Sequence, residues 1–118
     1  LSDTPGFIEF KGALTENFVL QSLVSVFDVE PYYWSSENRA EIDFLIQHGV
    51  IVIPVEVKSE HRVSGKSLSV YTSKFKPKVK ILYSLKEFTL NGNTLNIPLY
   101  LSDWTFDILK KAKIHSGV

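Results

Sequence analysis

Apolar positions change period several times along the chain, and each change marks an element. Between residues 13 and 27, Leu20, Leu23 and Phe27 recur at helical spacing with Val19 and Val24 on the flanks. Residues 40–47 alternate instead, with Ile42, Phe44 and Ile46 on one face and Glu41, Asp43 and Leu45 on the other. His48-Gly49 interrupts the alternation as a turn signal. Residues 51–58 resume it, setting Ile53, Val55 and Val57 opposite Val52, Pro54, Glu56 and Lys58. So short a turn predicts an antiparallel hairpin. Ser64 is a cap for a predicted helix over 66–75 with Leu68, Tyr71 and Phe75 as its inner stripe and Pro77 beyond its end. A strand is predicted over 80–85, then a hairpin of 88–90 and 95–100 around Asn91-Gly92-Asn93. A closing amphipathic helix over 104–112 carries Phe106, Ile108, Leu109 and Ala112. Tyr32-Tyr33-Trp34 is assigned to the first strand, and Tyr100 and Trp104 to the core. The resulting order, α-β-β-β-α-β plus a C-terminal hairpin and helix, predicts an α/β domain with a central mixed sheet flanked by helices.

With 118 residues, 44% of them hydrophobic and 22% charged, residues 1–118 suit a single globular domain and exclude a disordered chain. The absence of cysteine removes a disulfide scaffold, a thiolate metal site and a thiol nucleophile, and fits a reducing compartment. The longest apolar run, 50–55, is broken by Pro54 and too short for a bilayer, and no leader peptide opens the chain. A start at Leu1 with no methionine anywhere points to a segment of a longer protein. The expectation is a cytoplasmic domain.

Zero net charge argues at first against a nucleic-acid binder, but the distribution is uneven. Residues 1–57 balance at −7, residues 58–80 at +6 and the remainder at +1. Acids beside a basic segment suit a site for a metal and a phosphate backbone, and equally a solvated lysine-rich helix end. Within the acidic part, Glu16 precedes Leu20, Leu23 and Phe27 by four, seven and eleven residues. All four lie within about 60° of one another on a helix, which puts a carboxylate in the predicted buried stripe. Asp43 and Glu56 fall on neighbouring strands on the more polar face, and Lys58 shares that face two residues past Glu56. Two carboxylates and a lysine converging on one patch can hold Mg²⁺ or Mn²⁺ and serve phosphodiester hydrolysis. A structural Glu16–Lys58 ion pair and solvated acids on an open sheet face are the alternatives.

Glu16, Asp43 and Glu56-Val57-Lys58, in the order helix, strand, strand, resemble the PD-(D/E)XK nuclease-like superfamily. A closer resemblance spans about residues 11–103. It rests on Lys11-Gly12-Ala13-Leu14-Thr15-Glu16-Asn17-Phe18-Val19, Tyr33-Trp34-Ser35, Ala40-Glu41-Ile42-Asp43-Phe44, Ile53-Pro54-Val55-Glu56-Val57-Lys58, Lys66-Ser67-Leu68 and Ile97-Pro98-Leu99-Tyr100-Leu101. These look like the domain of unknown function at the C-terminus of bacterial and archaeal AAA-type ATPases. The resemblance implies a restriction-endonuclease-like core, an N-terminal ATPase module in the parent chain and DNA as partner. It further implies metal binding by Asp43, Glu56 and the Val57 carbonyl, a catalytic Lys58, and Glu16 as an orienting or second-metal carboxylate. Lys66, with Arg62 and Lys74, would contact nucleic acid. Ile42 stands where the name-giving pattern has proline. The alternative function is a non-catalytic module binding nucleic acid or protein for the same ATPase.

Other signals carry less. Gly65-Lys66-Ser67 imitates the end of a phosphate-binding loop, but Glu60 stands where that loop needs glycine, so no nucleotide site is expected. His48, His61 and His115 lack metal-ligand spacing, and His48 reads as a turn residue.

Overall fold

The computed structural model describes residues 5–31, 42–58 and 76–114. Among these, six strands form one mixed sheet in the order β1-β2-β3-β4-β6-β5. The strands β2 (Phe44–His48) and β3 (Ile51–Val57) pair antiparallel, His48 opposite Ile51 and Phe44 opposite Val55. The two-residue turn between them, Gly49-Val50, needs its glycine, whose φ of 64° is reached at little cost only without a side chain. On the outer side of β2 lies β1 (Asp28–Pro31), also antiparallel. On the other side β3 pairs parallel with β4 (Lys80–Ser84), and β4 parallel with β6 (Thr94–Pro98). The edge strand β5 (Thr89–Asn91) turns into β6 through Gly92-Asn93, with Gly92 at φ 63°.

Helix α1 (Pro5–Val24), a 3-10 helix (Leu99–Trp104) and α2 (Thr105–Lys111) complete the described residues. The alternation of β2, β3, β4 and β6 sends Phe44, Ile46, Ile53, Val55, Ile81, Tyr83, Leu95 and Ile97 to one face. There they form a single core with Val19 and Leu23 of α1 and Leu109 of α2. Each fully buried side chain of this size stabilises the fold by roughly 1.5–3 kcal/mol. A chain of hydroxyls ties the layers together. Tyr83 Oη meets Thr105 Oγ1 at 2.6 Å, Thr105 donates to the Ser102 carbonyl at 2.7 Å, and Ser102 Oγ donates to Ser22 Oγ at 3.0 Å. Ser22 in turn donates to the Phe18 carbonyl at 3.2 Å, so sheet, 3-10 helix and α1 share one buried path. Burial pushes the Tyr83 phenol well above its ordinary pKa, which keeps it a neutral hydrogen-bonding group.

The described residues follow the predicted α/β, mixed-sheet architecture, with instructive departures. Helix α1 ends at Val24, and its inward residues are Val19, Ser22 and Leu23 rather than a stripe through Glu16, which is exposed. Val19 and Leu20 are both apolar, so two helical phases fit the pattern; the Ser22–Ser102 contact belongs to the one adopted. The first strand begins at Asp28, ahead of the tyrosines, whereas Tyr32-Tyr33-Trp34 and the predicted 66–75 helix lie outside the described residues. Pro98 closes β6, and the chain goes directly into the 3-10 helix, leaving Tyr100 and Trp104 at 71% and 58% exposure instead of in the core. His48 is a strand residue. Its ring packs edge-on against Phe27 and Phe106, with Nε2 3.2 Å from the Ile114 carbonyl. No helix among the described residues is long and apolar enough to cross a membrane.

Helix α2 ends in a Schellman motif: Ile114 N–H donates to Leu109 and Lys113 N–H to Lys110, at 2.9 and 3.1 Å. The motif holds Lys113 at φ 60°, a conformation that costs an ordinary residue about 1 kcal/mol or more. Lys113→Gly is therefore expected to stabilise the protein by about 1 kcal/mol in urea unfolding. An unchanged or lowered midpoint would contradict strain at this cap.

Candidate active site at the β2–β3 strand ends

The ladder ends at the pair Phe44 with Val55, and Asp43 lies one residue before it. The two strands part here, and the Asp43 side chain takes over from the ladder. Its backbone N–H donates to the Val55 carbonyl at 3.1 Å, and its Oδ2 accepts the Val57 N–H at 2.7 Å. A single residue thus grips β3 on both sides of Glu56. Since the N–H and C=O of a strand residue point the same way, the Val57 carbonyl emerges on the Asp43 side. The Lys58 N–H points the other way, donating to Tyr83 of β4 at 2.8 Å.

Glu56 is 2% exposed and both its carboxylate oxygens are closed off from solvent. It lies on the face opposite the helix-covered core, where Pro54 and Leu82 are also buried. Asp43 is pushed up from an ordinary 3.8 to about 7, above all by burial. The Val57 hydrogen bond opposes the shift, Glu16 and Glu56 add to it by charge repulsion, and Lys58 draws it back. Two carboxylates and one ammonium therefore act electrostatically on Asp43. Glu16 does so from α1, on the rim of a 200 Å³ pocket lined by Ala13, Asn17, Leu20 and Phe44.

The structure brings Asp43, Glu56, Val57 and Lys58 together, while Glu16 is exposed on α1 and acts on Asp43 through its charge. Among the described residues no group of three or more His, Cys, Asp or Glu side chains surrounds a common point. Two carboxylates and a backbone carbonyl are hard oxygen donors, a set that suits a cation retaining most of its waters, as Mg²⁺ does. Arg62, Lys66 and Lys74 lie outside the described residues. Leu82 is level with Glu56, and Lys80 stands two residues, about 7 Å, before it on β4. The register of a parallel pair, which sets this separation, has no local sequence signal. Nor does the hydroxyl path through Tyr83 and Thr105, whose members are 22 residues apart.

A mixed α/β sheet with an acidic corner at the ends of β2 and β3 defines the class of domain. Residues 11–101 match a family described as a domain of unknown function, DUF4143, and the chain belongs to that family. Comparison with curated proteins yields no match.

Proposed function

We propose that this domain is a metal-dependent nuclease of the PD-(D/E)XK type, hydrolysing DNA phosphodiesters in the cytoplasm as the C-terminal part of an AAA-type ATPase. The observation that carries the reading is Asp43 bonded to the β3 backbone on both sides of Glu56 and feeling its charge, with Lys58 two residues on. The element order supports it too: a helix, an antiparallel three-strand unit and a parallel fourth strand fit a restriction-endonuclease-like core. Asp43, Glu56 and the Val57 carbonyl would hold Mg²⁺ or Mn²⁺, and such an ion polarises a phosphoryl oxygen and acidifies its own bound water. Lys58 offsets charge developing on the phosphate, and Glu16 orients groups at the mouth. The burial of Glu56 favours a second reading, a non-catalytic module that binds nucleic acid or a protein for the same ATPase.

Calorimetric titration with Mn²⁺ and nicking of supercoiled DNA separate the two. The wild type is expected to bind Mn²⁺ and nick. Glu56→Gln should lose metal binding, and Lys58→Ala should keep it while nicking at least ~100-fold more slowly. Absence of heat at millimolar Mn²⁺ in the wild type, with a folded protein by circular dichroism, would remove the nuclease reading.

A further inference from the structure

At the edge of the sheet farthest from Asp43, Phe88 and Leu90 of the β5 segment stand 42% and 48% exposed. With Leu101, Ile108 and Ala112 they line an apolar groove of 400 Å³ between the sheet edge and α2, in which Lys111 is the one charged residue. The outer edge of β5 pairs with no strand among the described residues. Asn91 and Thr94 close a two-residue turn, so they form a hydrogen-bonded pair, and the next pair, Leu90 with Leu95, is a non-bonded one. The N–H and C=O of Leu90 therefore point away from β6, out over the groove. Leu95 faces the core, so the Leu90 side chain lies on the helix-covered face, and a further strand would send alternate side chains toward Ile108 and Ala112. Bases are in slight excess around it: Lys86, Lys110, Lys111 and Lys113 stand in the three segments that frame the groove, against Glu87, Asp103 and Asp107, and Lys111 alone lines it.

We propose that this groove is a docking site for an extended segment of a partner protein, with apolar residues at alternate positions and acidic residues beside them, which adds to β5 as a seventh strand. The Leu90 backbone groups give the main-chain bonds, the groove takes the apolar side chains, and Lys111 selects for the acids. The site is independent of the Asp43 corner and of any nuclease activity.

The probe is a short fluorescein-labelled peptide alternating leucine and glutamate, followed by fluorescence anisotropy. Three comparison peptides replace glutamate with lysine, N-methylate alternate amides, or scramble the order. Saturable binding of the first peptide is expected, weakened about tenfold or more by Leu90→Asp and by N-methylation. Lys111→Glu should reverse the preference between the glutamate and lysine peptides. Both substitutions are at the rim, and an unchanged melting temperature shows that the fold is intact. No binding, equal binding of the lysine or scrambled peptide, or indifference to N-methylation overturns the proposal. So does self-association in sedimentation velocity that Leu90→Asp abolishes, since a second copy would then occupy the groove.

Discussion

Asp43→Asn will make the metal-free protein more stable at pH 8 by roughly 2 to 4 kcal/mol, and will do so far less at pH 5. Asp43 has its pKa raised by burial to about 7 in the folded protein, against 3.8 for the ordinary group. A raised acid binds its proton more tightly when folded, so its contribution is most favourable below pH 3.8. That contribution is lost as pH climbs toward 7, by at most about 1.4 kcal/mol per unit, and then levels off. Asparagine stays neutral throughout. Its amide oxygen can still accept the Val57 N–H that Oδ2 accepts at 2.7 Å, so the grip on β3 is kept. Urea unfolding of both proteins in chelator, at pH 5 and at pH 8, is the measurement. A gain independent of pH, or a loss at pH 8, would show that Asp43 is not held against its charge. The expected pattern is that of a residue retained at a cost in stability, as is common where an acid must be ready to bind something.

Leu23→Ala is expected to cost about 3 to 4 kcal/mol, and Leu14→Ala less than about 0.5. Leu23 is fully buried near the end of α1 and packs in the core with Ile46, Ile53 and Leu109, whereas Leu14 is 55% exposed on the same helix. Truncating Leu23 removes apolar contact and leaves a cavity between helix and sheet. Truncating Leu14 removes surface already wet. For a domain with about 5–15 kcal/mol in total, the first change lowers the melting temperature by roughly 10 to 20 °C. Thermal unfolding of both variants checks it, and comparable losses would mean that α1 lies on the sheet in a different rotation.

Much of the candidate site could be read without coordinates because the strands around it announce themselves. Alternation at Ile42, Phe44 and Ile46, and again at Ile51, Ile53 and Val55, separates the two faces. A two-residue turn at Gly49-Val50 then leaves one register, which pairs Phe44 with Val55 and so sets Asp43 and Glu56 next to that pair. The hairpin around Gly92 was legible for the same reason. What was hidden depends on contacts distant in sequence. The rotation of α1 is associated with Ser22 meeting Ser102, 80 residues away, and a serine in a helix carries no such message. Asp28-Val29-Glu30 has too few residues to show a period, and becomes a strand by pairing with Ile46 and its neighbours. The exposure of Tyr100 and Trp104 accompanies the 3-10 helix after Pro98, where the sequence reads as a strand to Tyr100 and a helix from Trp104.

The placement of β6 between β4 and β5 has a consequence for how the chain is made. Synthesis proceeds from the N-terminus, so β4 emerges before Thr94–Pro98 exists. Until then Ile81 and Tyr83 stand on an open edge whose parallel neighbour is still inside the ribosome. β5 cannot shield them, because in the finished sheet it reaches β4 only through β6. A nascent chain halted between β4 and β6 thus displays an apolar strand edge, and release from that exposure comes with the last described strand.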